Sequence, residues 1–236
     1  MVLNVDKLSD STNTLQMTNN HAHQDGDNAT LTIDGSEEAA APAPSKRRLE
    51  SRKRILAAAR KLFVERGYHA TRPQDISKLA GVGHGTFYLH FADKFDCFLS
   101  FAEDASAELE AFIEEHLADV NTLDEGIREV LKAIFEFSAE NAGVLAAALT
   151  DINVLATGET DKKMPVDRWA EQWADIVRKW SEEGVAAADV DPMFAGHFIV
   201  GIIRQGGAYA HRAGIDQAEA IEKMSRAITR TLRPNN

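Results

Sequence analysis

A single cysteine, Cys97, serves the whole 236-residue chain. No internal disulfide can form, which excludes the small secreted domain held together by bridges and suits a reducing cytoplasm. Cys97 itself reads as a small apolar packing residue. No apolar run approaches the ~20 residues of a membrane span. No basic region followed by an apolar stretch opens the sequence, so no secretory signal is expected. Segments with the strict alternation of a strand are missing, and so is any internal repeat. Catalytic patterns are also missing. There is no Ser-His-Asp arrangement, no cluster of metal-ligating residues and no glycine-rich phosphate loop, so neither an enzyme, a cofactor nor a metal is expected. Positive charge is short overall, with a formal net charge of −11.

That shortage is local. Residues 45–94 hold twelve Lys and Arg against four Asp and Glu. Residues 1–44 hold one Lys against seven acids, and residues 95–236 hold thirteen basic against twenty-six acidic residues. One basic segment in an acidic chain suits phosphate contact at that segment and repulsion elsewhere. A solvated helix face has the same charge pattern, so position must decide between the two.

Residues 1–44 are rich in Asp, Asn, Thr and Ser and end in A-A-A-P-A-P. They lack sustained periodicity and read as a disordered acidic tail. His21 and His23 within it have no further ligands nearby. From Ser45 onward everything reads as helix. Ile55, Ala59, Leu62 and Phe63 form a stripe that Gly67 ends. Pro73 starts a short helix that Gly81 ends, and another spans 83–91. Asp93 caps a helix reaching about His116, and Thr122 opens one to Glu140. The spacing predicts further helices over 141–154, 165–183, 191–212 and 216–232. The expectation is an all-α protein of about nine helices.

The stretch T-R-P-Q-D-I-S-K-L-A-G-V-G-H-G-T-F-Y-L-H-F-A-D-K, residues 71–94, gives the basic segment a purpose. Ile76, Ala80, Val82 and Phe87 fall where a helix-turn-helix needs an apolar core. Ser77 falls where its helices approach closely, and Gly81 falls in the turn, where a left-handed backbone is needed. Such a unit presents its second helix to the DNA major groove. This run, with R-K-R-I-L-A-A-A-R-K-L-F-V-E-R-G-Y-H-A-T before it, resembles the signature of the TetR family of bacterial transcriptional regulators. The close match covers roughly residues 50–98.

The resemblance implies a homodimer with a helix-turn-helix domain at 45–94. A helical body at 95–236 would bind a small molecule and form the dimer contact. Effector binding would change the spacing of the recognition helices and release the operator, as befits a repressor. Two such helices must stand roughly 34–36 Å apart to enter successive major grooves. By the same match, Thr71 and Gln74 would hold a phosphate at the start of the second helix. Gly83, His84, Gly85 and Thr86 would open the recognition helix toward base edges or backbone. Tyr88 and His90 would contact phosphate or base edges and Lys94 phosphate, while Leu89, a departure from the family pattern, either meets a thymine methyl or is simply exposed. Arg47, Arg48, Arg52 and Lys53 would form a basic arm. Gly83 departs from the family's usual Ser or Thr, and Leu89 and His90 from a pair that often contains Tyr, so the operator sequence stays open.

The body is less specific. Trp169, Trp173 and Trp180 recur at helical spacing, which marks either packing or a pocket. The pocket reading takes Phe137, Leu145, Leu149, Trp169, Trp173 and Phe198 as an apolar lining for an effector with an apolar part. Asn153, Gln172, His197 and Arg204 are its polar candidates. For the dimer, Ile199, Ile202, Ile203, Gly206, Gly207 and Ala210 combine apolar and small residues. Ile221, Met224 and Ile228 form a matching stripe. The alternative is that these faces pack within one subunit. A sequence-tolerant architectural DNA binder would share the basic segment and need no pocket.

Overall fold

The computed structural model describes residues 46–117, 122–149 and 163–233. The acidic tail and Asn153 lie outside them. Every regular element among the described residues is a helix, as the sequence predicts. The order is α1 (Lys46–Ala70), α2 (Pro73–Leu79), α3 (His84–Tyr88), α4 (Lys94–His116), α5 (Leu123–Glu140), α6 (Val144–Ala148), α7 (Pro165–Glu182), α8 (Pro192–Gly201), α9 (Gly207–Ala213) and α10 (Gln217–Leu232). A π-helical turn, Ile202–Gly206, joins α8 to α9 without breaking the rod.

The residues at which the sequence opens four of the helices act as caps. Asp93 accepts from Asp96 N, Thr122 from Glu125 N, Asp191 from Phe194 N, and Asp216 from Ala218 N and Glu219 N. Each satisfies an amide that the first helical turn leaves unpaired. Gly67 breaks the helical backbone near the end of α1, with φ 76° and ψ 168°.

Two buried clusters organise the helices. The first is aromatic and takes Phe63 from α1, Ile76 from α2, Phe87 from α3 and Phe98 and Phe101 from α4. Phe91, between α3 and α4, completes it. Phe63 meets Phe98 edge-on at 5.5 Å between ring centroids. The cluster does not stop at residue 94. It runs along α4 to Ala105, and it takes in Val144 and Ala148 of α6 and Met164 at the start of α7. The second cluster joins α5, α7, α8 and α10 with the far half of α4. α7 and α8 cross very closely at Gly196, where a Cβ would lie 2.0 Å from the Ala170 carbonyl oxygen. Only glycine fits there.

Candidate nucleic-acid interface and helical body

The helix pair α2–α3 is built from its turn outward. Ala80 caps α2, Gly81 follows at φ +64°, and Val82 N donates to Ser77 O at 3.0 Å. Ser77 is buried and its hydroxyl donates to Pro73 O at 2.8 Å, which lets α3 come close. Phe87 is fully buried, and this pins one side of α3 and turns the other to solvent. The solvent side carries Gly83, His84, Gly85, Tyr88 and Leu89, with Thr86 half-buried. Leu89 is 69% exposed. Gly83 caps α3 through its backbone with no side-chain bond, so the absent hydroxyl costs the helix only tenths of a kcal/mol. A Cβ at Gly85 would meet nothing within 4 Å, so the fold itself has room for a side chain there. His84 and Tyr88 stand edge to face at 5.1 Å.

Arg47, Arg48, Arg52 and Lys53 project from the first turns of α1 rather than from a separate extended arm. All four are exposed; Arg48 reaches Leu89 O at the end of α3, and Arg52 lies over the Phe91 ring just beyond it. Gln74 is exposed at the start of α2. This face brings together the basic turns of α1, the N-terminus of α2 and the free side of α3. That is the chemistry of a duplex-binding surface: cations and helix amides for phosphate, small and hydrogen-bonding side chains for base edges.

Three expected contacts turn inward instead. Thr71 is fully buried, and its hydroxyl lies 2.8 Å from Gly67 O and 3.2 Å from Leu62 O. It holds the turn from α1 to α2 and faces no phosphate. Lys94 donates to Tyr68 O at 2.9 Å and sits 4.2 Å from the centre of the Tyr68 ring. Burial lowers its pKa. His90 is half-buried and bonded to Ser51. Sequence reasoning missed Ser51, although the signal was there: a polar residue four before Ile55 on a stripe that must be buried.

In the body, Phe137, Leu149, Trp169 and Trp173 are brought together inside the second cluster, with Leu145 packed partly buried against it. Gln172 leaves that group and donates to Glu110 at 2.7 Å. It lines a groove of about 180 Å3 between α4 and α7, which Ser106 and Arg168 also line. Arg168 bridges to Glu103 there. Arg204 is half-buried in the π turn, and His197 and Phe198 face outward from α8.

The structure also places the dimer candidates differently. Ile199, Ile203, Ile221, Met224 and Ile228 are buried within the subunit. Gly206 packs on Met224, whose sulfur would lie 2.8 Å from a Cβ there. The small residues serve the contact of the α8–α9 rod with α10. Of the candidates, Gly207 is half-buried and open to a Cβ. The apolar face left uncovered carries Met193, Phe194, Phe198 and Tyr209, with Phe194 at 72% and Tyr209 at 60% exposure.

The α2–α3 pair and its basic flank define a helix-turn-helix DNA-binding protein. Residues 55–101 match the family described as bacterial regulatory proteins, tetR family. The HTH-type transcriptional activator FasR of Mycolicibacterium smegmatis is 31% identical over 88 residues, covering 37% of this chain and 40% of FasR. The HTH-type transcriptional repressor BepR of Brucella suis is 26% identical over 154 residues, covering 58% of this chain and 74% of BepR. The crystal structure of a putative TetR-family transcriptional regulator from Rhodococcus sp. superposes with a TM-score of 0.61 at 20% identity. That alignment covers 78% of this chain and 99% of the other, a likeness of fold. Residues 55–101 therefore carry the regulatory segment of that family, and these relatives are transcriptional regulators by name. Among the described residues, no helix is long and apolar enough to cross a membrane.

Proposed function

We propose that the protein is a ligand-responsive repressor that binds its operator as a homodimer and releases it when a small molecule enters the helical body. One observation carries the coupling. Val144, Ala148 and Met164 lie in the same buried cluster as Phe63, Phe87 and Phe98, so the body contributes part of the core that seats the recognition helix. Close-packed cores do not deform smoothly, and a shift of α6 must repack that cluster. A few ångströms of displacement at α3 is enough to misplace one half-site. Repression is the favoured direction because the match to the repressor BepR reaches further along this chain than the match to the activator FasR.

The second copy is assigned to the exposed face of the α8–α9 rod. An uncovered apolar patch of this kind marks an interaction surface, and two-fold pairing is the commonest oligomer symmetry. The domain division carries over with a modification: α1–α3 and the first half of α4 form the reading head, and the remainder forms the body.

The test is salt-titrated binding to the DNA upstream of the protein's own coding region and to a random duplex, with candidate apolar small molecules added. A specific regulator favours the upstream DNA by ~10³-fold or more and loses that preference with its effector. Equal affinity for both duplexes identifies an architectural binder. Phe194→Asp with Tyr209→Asp is expected to halve the mass measured by light scattering at micromolar concentration while the helical circular dichroism persists. An unchanged mass moves the dimer contact elsewhere.

A further inference from the structure

Three consecutive residues at the end of the recognition helix each meet a residue of α1. Leu89 O lies 3.5 Å from Arg48 Nη2. His90 Nε2 lies 2.7 Å from Ser51 Oγ. The Phe91 ring lies 5.2 Å beneath the Arg52 guanidinium carbon. The middle contact is the only one of the three short enough to be a strong hydrogen bond. It joins groups 39 residues apart, and Ser51 is almost fully buried.

Proton counting gives the contact a direction. A serine hydroxyl has one proton, and Ser51 Oγ donates it to Arg48 O at 2.9 Å. Ser51 can then only accept from His90, which places a proton on Nε2. The result is a relay: His90 Nε2–H to Ser51 Oγ–H to the carbonyl of Arg48. The ring is neutral in this arrangement, since burial lowers its pKa and the Arg48 and Arg52 charges lower it further. The nitrogen nearest α1 is fully used inside the protein and is not available to a phosphate.

We propose that His90 is a positioning residue: acting through Ser51, it holds the basic first turns of α1 against the recognition helix, so that Arg47, Arg48 and Lys53 meet the DNA backbone while α3 reads the groove. This rests on the chain being a DNA-binding regulator and is independent of any effector or dimer. It departs from the expectation that His90 touches DNA itself. The neighbouring Arg48–Leu89 contact sits at the outer limit of a hydrogen bond.

The experiment is fluorescence anisotropy on a 30-base-pair duplex of arbitrary sequence, across a salt series. The proteins are the wild type, His90→Ala, Ser51→Ala, the double variant and His90→Gln. Each neutralised phosphate contributes about 0.9 to the slope of log affinity against log salt. Both single variants are expected to lower that slope by about one phosphate contact, with several-fold weaker binding at moderate salt. The double variant is expected to be no worse than either single one, since both break one relay. His90→Gln places an amide donor near Nε2 and is expected to restore most of the slope. A general loss of stability rescales affinity equally at every salt concentration and leaves the slope unchanged, and Ser51→Ala removes only one oxygen. A duplex obtained by in vitro selection with the wild type supplies the second readout. Its affinity relative to the arbitrary duplex is expected to be the same in all variants. The proposal is overturned by unchanged slopes, by additive effects of the two substitutions, or by a fall in that ratio for His90→Ala with Ser51→Ala unaffected.

Discussion

The reading head and the helical body use similar materials for opposite ends. Both are helical, and both bury aromatic side chains at helical spacing. In the head, burial of Phe87 on one side of α3 leaves a polar, glycine-containing side free, and that free side is the one proposed to read DNA. In the body, the stripe of isoleucines on α8 and α10 is itself the packing, and the surface left over is apolar. A buried stripe therefore points to function only through what it leaves exposed. The two regions also hold histidines of opposite character. His90 is kept neutral by burial and two arginines. His116 bridges Phe112 O at 2.8 Å and Glu136 at 2.9 Å, an arrangement that favours the charged ring.

The most severe way to break the division into head and body is to cut the joint between them. Met164→Ala is expected to cost about 2–4 kcal/mol in urea unfolding, because Met164 is almost fully buried. The loss should appear as faster amide exchange in α1 and the first half of α4, far from the substitution in sequence. Protection lost only in α7 would mean that the two regions are independent.

A smaller effect tests the head alone. Tyr88→Phe is expected to weaken operator binding by roughly 1 kcal/mol, and Thr86→Ala to shift base preference in an in vitro selection. Unchanged affinity together with unchanged preference would remove α3 from the recognition surface.

The smallest effect separates the two histidines. The Phe112 carbonyl, then the Glu136 carboxylate, raise the His116 pKa. The stability this contributes is complete below the unfolded imidazole value near 6.5 and fades as pH rises through the higher folded value. His90 has the opposite sign: its contribution is complete above the unfolded value and fades as pH falls through the lower folded one. His116→Gln is expected to flatten the decline in stability on the alkaline side, by a few tenths of a kcal/mol for so exposed a pair. Chemical denaturation from about pH 5.5 to 8.5 measures it, and a curve parallel to the wild type would show that the bridge is not made in solution.

The helices and their starting residues were legible because they are local. Asp93, Thr122, Asp191 and Asp216 each bond an amide two or three residues ahead, within reach of a sequence pattern. The all-α fold followed from periodicity, and the face that α3 turns outward from the helix-turn-helix pattern and the family resemblance. What was not legible depends on partners far along the chain. Lys94 turns to Tyr68 and His90 to Ser51, and no local rule announces either. A stripe such as Ile221, Met224 and Ile228 looks the same whether its partner is α8 of its own subunit or of another. The membership of α6 and Met164 in the head's core is likewise a long-range fact, and so is the π turn within the rod.

Gly85 leads somewhere further. It lies on the exposed side of α3 with open space where a side chain would be. Alanine there would even favour the helix, by up to about 1 kcal/mol. On the proposed reading of α3, changes at this position and its exposed neighbours alter the DNA sequence bound without disturbing what holds the fold together. Libraries randomised at Gly83, Gly85 and Leu89 should therefore yield folded regulators retargeted to new promoters. A lineage carrying such a helix can exchange one regulon for another while its scaffold stays the same.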